Sequence, residues 1–138
     1  NPNMVIFYGY VEEDLVPIFE KLKSETMIKP GIALLRSTVP QTVEPAILAA
    51  EHVLVFSGSL GEYGGKASMM QLEKIRLIKA INSNVEIGWD GGANLSNVFS
   101  LSQGGVDVIN VGGAIANATD PAEVYKAMCT EISRKGTI

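Results

Sequence analysis

The chain has 138 residues, 46% of them apolar and 19% charged, with a formal net charge of −4; this suits one compact domain with a substantial core and excludes a disordered tail. Its 11 Lys and Arg are scattered among 15 Asp and Glu, so the basic stripe of a nucleic-acid binder is missing. No apolar run approaches the ~20 residues of a membrane-spanning helix, and no signal-peptide pattern opens the chain; a cytoplasmic protein is expected.

The sequence opens Asn1-Pro2-Asn3 and is already strand-like at Met4, as in a protein cut from a longer one or one with tag residues before Met4. The first predicted strand is Met4–Tyr8. Leu15, Ile18, Phe19 and Leu22 then repeat at helical spacing, with Pro17 tolerated in the early turns. Lys29-Pro30-Gly31 stops that helix and opens a second strand at residues 32–35, apolar on both faces as in a parallel sheet. A short helix is expected over residues 43–50, with Thr42 as its cap and Pro45 in its first turn.

The third strand, residues 53–56, feeds a glycine-rich loop at 57–65 and then the longest helix, whose inward residues are Leu72, Ile75 and Ile78, with Met69. The fourth strand covers 85–89 and ends at Asp90-Gly91-Gly92. Asn94 is expected to cap the next helix, with Leu95, Val98, Phe99 and Leu101 on its buried side, and Gly104-Gly105 to end it. The fifth strand, 107–111, runs into Gly112-Gly113. The last helix opens Asp120-Pro121-Ala122-Glu123: a cap, an N1 proline and an N3 carboxylate. Strand and helix alternate throughout, the order of a parallel sheet with helical crossovers in a single domain.

Three strands end in glycines, at Gly58, Gly61, Gly64 and Gly65, at Gly91 and Gly92, and at Gly112 and Gly113. Barrel and open-sheet enzymes bind ligands at that edge, and glycine lets backbone N–H groups approach an anion with no Cβ in the way. The pattern suits a phosphate cradle; tight turns are the plainer alternative. Asp90 ends an otherwise apolar strand, so its carboxylate should reach the rim as a general acid/base or a metal ligand, or serve only in turn chemistry.

The other reactive side chains read as ordinary. Cys129 lies on an apolar helical pattern and reads as a packed thiol, and His52 as a surface histidine. Ser57 and Ser59 have no evident histidine partner for a nucleophile. Lys66, in the first turn of a helix, either closes on a phosphate or is simply solvated.

Together, Val53-Leu54-Val55-Phe56-Ser57, Gly61-Glu62-Tyr63-Gly64-Gly65-Lys66 and Leu72-Glu73-Lys74-Ile75-Arg76 resemble the sixth-strand region of ribulose-phosphate 3-epimerases. Val85-Glu86-Ile87-Gly88-Trp89-Asp90-Gly91-Gly92-Ala93-Asn94 is similar to that family's seventh strand and its Asp-Gly-Gly-x-Asn motif. Val111-Gly112-Gly113-Ala114-Ile115 with Asp120-Pro121 resembles the eighth strand, and Lys29-Pro30-Gly31-Ile32-Ala33-Leu34 the fifth. Tyr8 stands where the family often has His, and Phe56 where it has Met.

The resemblance implies an α/β fold of parallel (βα) units from a TIM barrel, about five of the eight. It implies pentulose-phosphate 3-epimerase chemistry, in which two aspartates exchange a proton at C3 through an enediolate with a divalent metal (Zn, Fe, Mn or Co). Carried over by position, Gly64, Gly92, Gly112 and Gly113 would hold the substrate phosphate, and Asp90 would be acid/base and metal ligand. The second aspartate and the histidine ligands belong to strands outside this sequence, so the 138 residues alone are expected to be inactive. A non-catalytic sugar-phosphate-binding remnant is the main alternative; a hexulose-phosphate synthase or a decarboxylase is a further one. Five strands leave two sheet edges and an interior face to cover, so association with a second copy or with a complementing N-terminal segment is expected.

Overall fold

The computed structural model describes residues 3–9, 13–59 and 65–134. Its five strands are β1 (Met4–Tyr8), β2 (Lys29–Leu34), β3 (His52–Phe56), β4 (Glu86–Asp90) and β5 (Val108–Asn110). They form one sheet in sequence order with every neighbouring pair parallel, which puts all their carboxyl ends at one rim. The helices are α1 (Val16–Glu25), α2 (Glu44–Ala49), α3 (Glu73–Ile81), α4 (Val98–Gln103), α5 (Gly113–Ala116) and α6 (Pro121–Ile132), with 3-10 turns at Pro40–Val43 and Met69–Leu72. Among the described residues no helix is long and apolar enough to cross a membrane.

Alternation along the strands separates two faces. Ile32, Leu34, Val53, Val55, Ile87 and Trp89 are fully buried, in one cluster with Phe19, Ile47, Ile75, Ile78 and Leu101 from the helices. Each such side chain contributes ~1.5–3 kcal/mol of burial. The opposite face carries Gly31 and Ala33, then His52, Leu54 and Phe56, then Glu86, Gly88 and Asp90. It is lined up by the registers Gly31↔His52, His52↔Glu86 and Phe56↔Asp90.

All five expected strands form, with shifted ends. Lys29, Pro30 and Gly31 lie inside β2, because their backbone pairs with Met4, Val5 and Ile6 of β1. α1 keeps its proline in the first turn, and the Asp120 carboxylate caps α6 by accepting the Glu123 amide at 3.0 Å.

Several local expectations fail. Thr42 caps nothing: it lies in a 3-10 turn and donates its hydroxyl to the Val39 carbonyl at 2.6 Å. Asn94 precedes a turn, and its side chain accepts from the Ser96 amide and hydroxyl, so α4 starts only at Val98 and Leu95 is exposed. Cys129 is exposed, since its neighbour Met128 takes the inward position of α6. The longest helix is α6, with 12 residues, and α3 has nine after a 3-10 turn. Lys66 is not in a helix but in the irregular segment before that turn. The four-residue α5 was not foreseen.

His52 is the largest correction. It is 3% exposed, its Nδ1 lies 2.8 Å from Glu86 Oε1, and its ring fills the space left by Gly88. A Cβ on Gly88 would stand 2.3 Å from His52 Nε2.

Candidate functional site

A cavity of about 360 Å³ opens at the carboxyl ends of β3, β4 and β5. Its wall includes Phe56 and Gly58, Gly65, the run from Asp90 to Asn94, and Asn110, Gly112, Gly113 and Ala114. Glycines following three different strands thus meet around one space. Gly92, Gly112 and Gly113, expected to act together, do share this wall, while Gly64 lies outside the described residues.

The close approach of the loops depends on glycine geometry. Gly91 and Gly92 have φ of +107° and +68°, values that side-chain-bearing residues rarely adopt. A Cβ on Gly91 would lie 2.4 Å from the Gly58 nitrogen, and one on Gly92 2.2 Å from the Ala67 nitrogen. The β4 loop therefore packs backbone against backbone on the segment between β3 and α3.

Side chains fix the direction of these peptides. The Gly91 carbonyl accepts from Ser57 Oγ at 2.9 Å and from Trp89 Nε1 at 3.1 Å. The Gly92 carbonyl accepts from Asn97 Nδ2 at 3.0 Å and Asn94 Nδ2 at 3.2 Å. In a trans peptide the N–H points opposite to the C=O, so the amides of Gly92 and Ala93 face away from this anchoring wall, and both residues line the cavity. Across the space, the amides of Gly113 and Ala114 belong to the first turn of α5, where no intrahelical acceptor exists. Convergent N–H donors of this kind suit an anion.

Asp90 ends β4 on the face opposite the helices, half-buried at the cavity wall, and its carboxylate makes no hydrogen bond or ion pair among the described residues. It can accept a proton or a ligand hydroxyl. A divalent metal does not fit the donors present. Among the described residues no three His, Cys, Asp or Glu are placed to hold one, whereas such ions take four to eight ligands. His52, the single histidine of the chain, is paired with Glu86 four residues down the sheet from Asp90, ~13 Å away at the rise of a strand. Asp90 thus has no histidine co-ligand here.

Sequence reasoning weighed Ser57 only as a nucleophile, gave Trp89 no role beyond its strand, and passed over Asn97. Ser57 is fully buried and also accepts the Ser68 amide at 3.1 Å; it is a brace between loops, and a serine directly after an apolar strand was its only signal. Lys66 is exposed beside Gly65. Arg36, which no motif singled out, reaches Ser59 Oγ with Nη1 at 3.5 Å.

The ribulose-phosphate 3 epimerase family model matches residues 1–116. A ribulose-phosphate 3-epimerase of Helicobacter pylori is 32% identical over 124 residues, covering 87% of this chain and 57% of that protein. The cytoplasmic isoform of ribulose-phosphate 3-epimerase from Oryza sativa is 29% identical over 114 residues, covering 80% and 50%. The crystal structure of a 3-hexulose-6-phosphate synthase from Salmonella typhimurium superposes with a TM-score of 0.71 at 20% identity, over 94% of this chain and 61% of that one. The chain spans about half the length of the curated relatives it matches, and the likeness of fold identifies its βα units as part of a TIM-barrel architecture that five strands leave open.

Proposed function

The chain belongs to the ribulose-phosphate 3 epimerase family, and on that footing we propose that its cavity binds the phosphate of a pentulose phosphate in a cytoplasmic 3-epimerase of carbohydrate metabolism. The supporting observation is the meeting of the Gly92, Ala93, Gly113 and Ala114 amides around one space beside Asp90. Gly92, Gly112 and Gly113 take the phosphate, with the first turn of α5 adding amides that have no intrahelical acceptor. Asp90 moves the proton at C3 on one face of the sugar.

Epimerisation through an enediolate needs a second acid/base on the other face. Among the described residues lining the cavity, Asp90 is the only carboxylate. On this reading the described residues bind without turning over, and activity draws on groups from a complementing segment, which also covers the open face of the sheet; a second copy of the chain is the other candidate cover. The divalent metal of the family would likewise draw its remaining ligands from elsewhere than the described residues.

Calorimetric titration with inorganic phosphate and with ribulose 5-phosphate tests the binding. Solvent deuterium at C3 of ribulose 5-phosphate tests the turnover. Saturable binding of both ligands with no deuterium uptake is expected. Absence of phosphate binding removes the cradle, and deuterium uptake by the isolated chain removes the need for a second base from elsewhere. Sedimentation velocity reports the association, and a well-folded monomer would count against the paired copy.

A further inference from the structure

We infer that Arg36 is the side chain that recognises the sugar end of the ligand, opposite the phosphate cradle. The inference rests on the sugar-phosphate reading above and assigns the contact which that reading leaves open.

Four side-chain and backbone bonds hold the turn after β2. The Thr38 hydroxyl accepts the Leu35 amide at 3.2 Å and the Thr38 amide donates to the Leu35 carbonyl at 2.9 Å. From α3, Lys74 Nζ donates to the carbonyls of Leu35 at 2.7 Å and Arg36 at 3.0 Å. With its own backbone tied down, Arg36 sends its guanidinium sideways to Ser59, the neighbour of cavity-lining Gly58. The cation is thereby carried from the end of β2 toward the segment that follows β3.

Strands of one sheet lie ~4.8 Å apart. A group beside the end of β3 is offset across the sheet by one and two strand spacings, about 5–10 Å, from β4 and β5, which separates it from the amides that follow them and is within the span of a phosphorylated sugar chain. Among the described residues, those lining the cavity include one carboxylate and no cation. A ligand oxygen that gains negative charge near Asp90 has the side-chain amides of Asn94, Asn110 and Asn117 in the wall, and Arg36 is the cation bonded toward this rim among the described residues. Guanidinium suits the task, as it stays charged and offers several N–H donors in one plane. Lys74 does not compete, because its ammonium is spent on two carbonyls. Lys66 is the one rival, exposed beside Gly65 with no bond among the described residues to direct it.

The test is calorimetric titration of the 138-residue chain and of Arg36→Ala, Arg36→Lys and Lys66→Ala with inorganic phosphate and, separately, ribulose 5-phosphate, all in chelator. Arg36→Ala should weaken ribulose 5-phosphate by about ten-fold, the worth of one hydrogen bond to a charged group, and leave inorganic phosphate unchanged; Arg36→Lys should recover part of the loss. Unchanged affinity for ribulose 5-phosphate in Arg36→Ala, or equal losses for both ligands, overturns the assignment. So does a selective loss of ribulose 5-phosphate in Lys66→Ala alone. If the unaltered chain binds neither ligand, the cradle itself is wrong, a result distinct from failure of Arg36 alone.

Discussion

The hydroxyl of Ser57 donates a 2.9 Å hydrogen bond to the carbonyl oxygen of Gly91, 34 residues along the chain, and accepts the amide of Ser68 at 3.1 Å. One buried oxygen thus joins the end of β3, the loop after β4 and the approach to α3. Ser57→Ala should leave the part-buried Ser68 amide without its acceptor and the Gly91 carbonyl with Trp89 alone, at a cost of about 1–3 kcal/mol. Urea denaturation gives the stability, and weaker phosphate binding should accompany the loss. A variant as stable as the parent would show that the brace carries no load.

Gly92 sits at φ +68°, with the Ala67 nitrogen 2.2 Å from where a Cβ would be. The obstacle is backbone and cannot rotate away. Gly92→Ala should therefore cost about 2 kcal/mol or more, the sum of an unfavourable left-handed conformation and a displaced loop. Thermal unfolding reads this directly.

The pair His52 and Gly88 calls for a double-mutant cycle. A methyl on Gly88 would meet the His52 ring at 2.3 Å, and the overpacking of Gly88→Ala should cost about 1–3 kcal/mol. In His52→Ala the same methyl finds room, so Gly88→Ala should then cost clearly less. Equal costs in both backgrounds would mean that His52 does not occupy this space.

Burial holds the Lys74 ammonium below the ordinary lysine value. Just below that ordinary value, the unfolded chain keeps a proton which the folded protein has released. The unfolded state then binds more protons, and stability rises with pH. At lower pH the amine is charged in both states and its burial penalty is constant. The stability of the unaltered chain relative to Lys74→Met should therefore be flat near neutrality and increase in the alkaline range, as followed by urea denaturation at a series of pH values. A difference that falls with alkaline pH would contradict the burial.

Much of what rests on neighbours in the chain was legible in the sequence. The five strands announce themselves as apolar runs because parallel strands are covered on the face that packs helices and paired along both edges. The cap of α6 is legible because Asp120 and Glu123 are three residues apart and need nothing else. The glycines after β3, β4 and β5 could be picked out for the same reason, since the turn that each makes is local. Thr42, Asn94 and Leu95 were misread where the chain makes a turn before committing to a helix, a choice of one or two residues that periodicity cannot resolve.

The order of strands and the presence of glycine at their carboxyl ends were thus determined by the sequence alone, as consequences of hydrophobic period and backbone freedom within a few residues. Only the tertiary structure decided that Ser57 would anchor Gly91, that His52 would be buried against Gly88 with Glu86 as partner, that Met128 rather than Cys129 would face inward, and that Arg36 would lean on Ser59. Each of these joins residues on different βα units, or depends on the rotation of a helix against its neighbours. Side-chain burial and hydrogen-bond partners follow from the packing of elements in space, and a strand records which residues alternate but not what stands across from them.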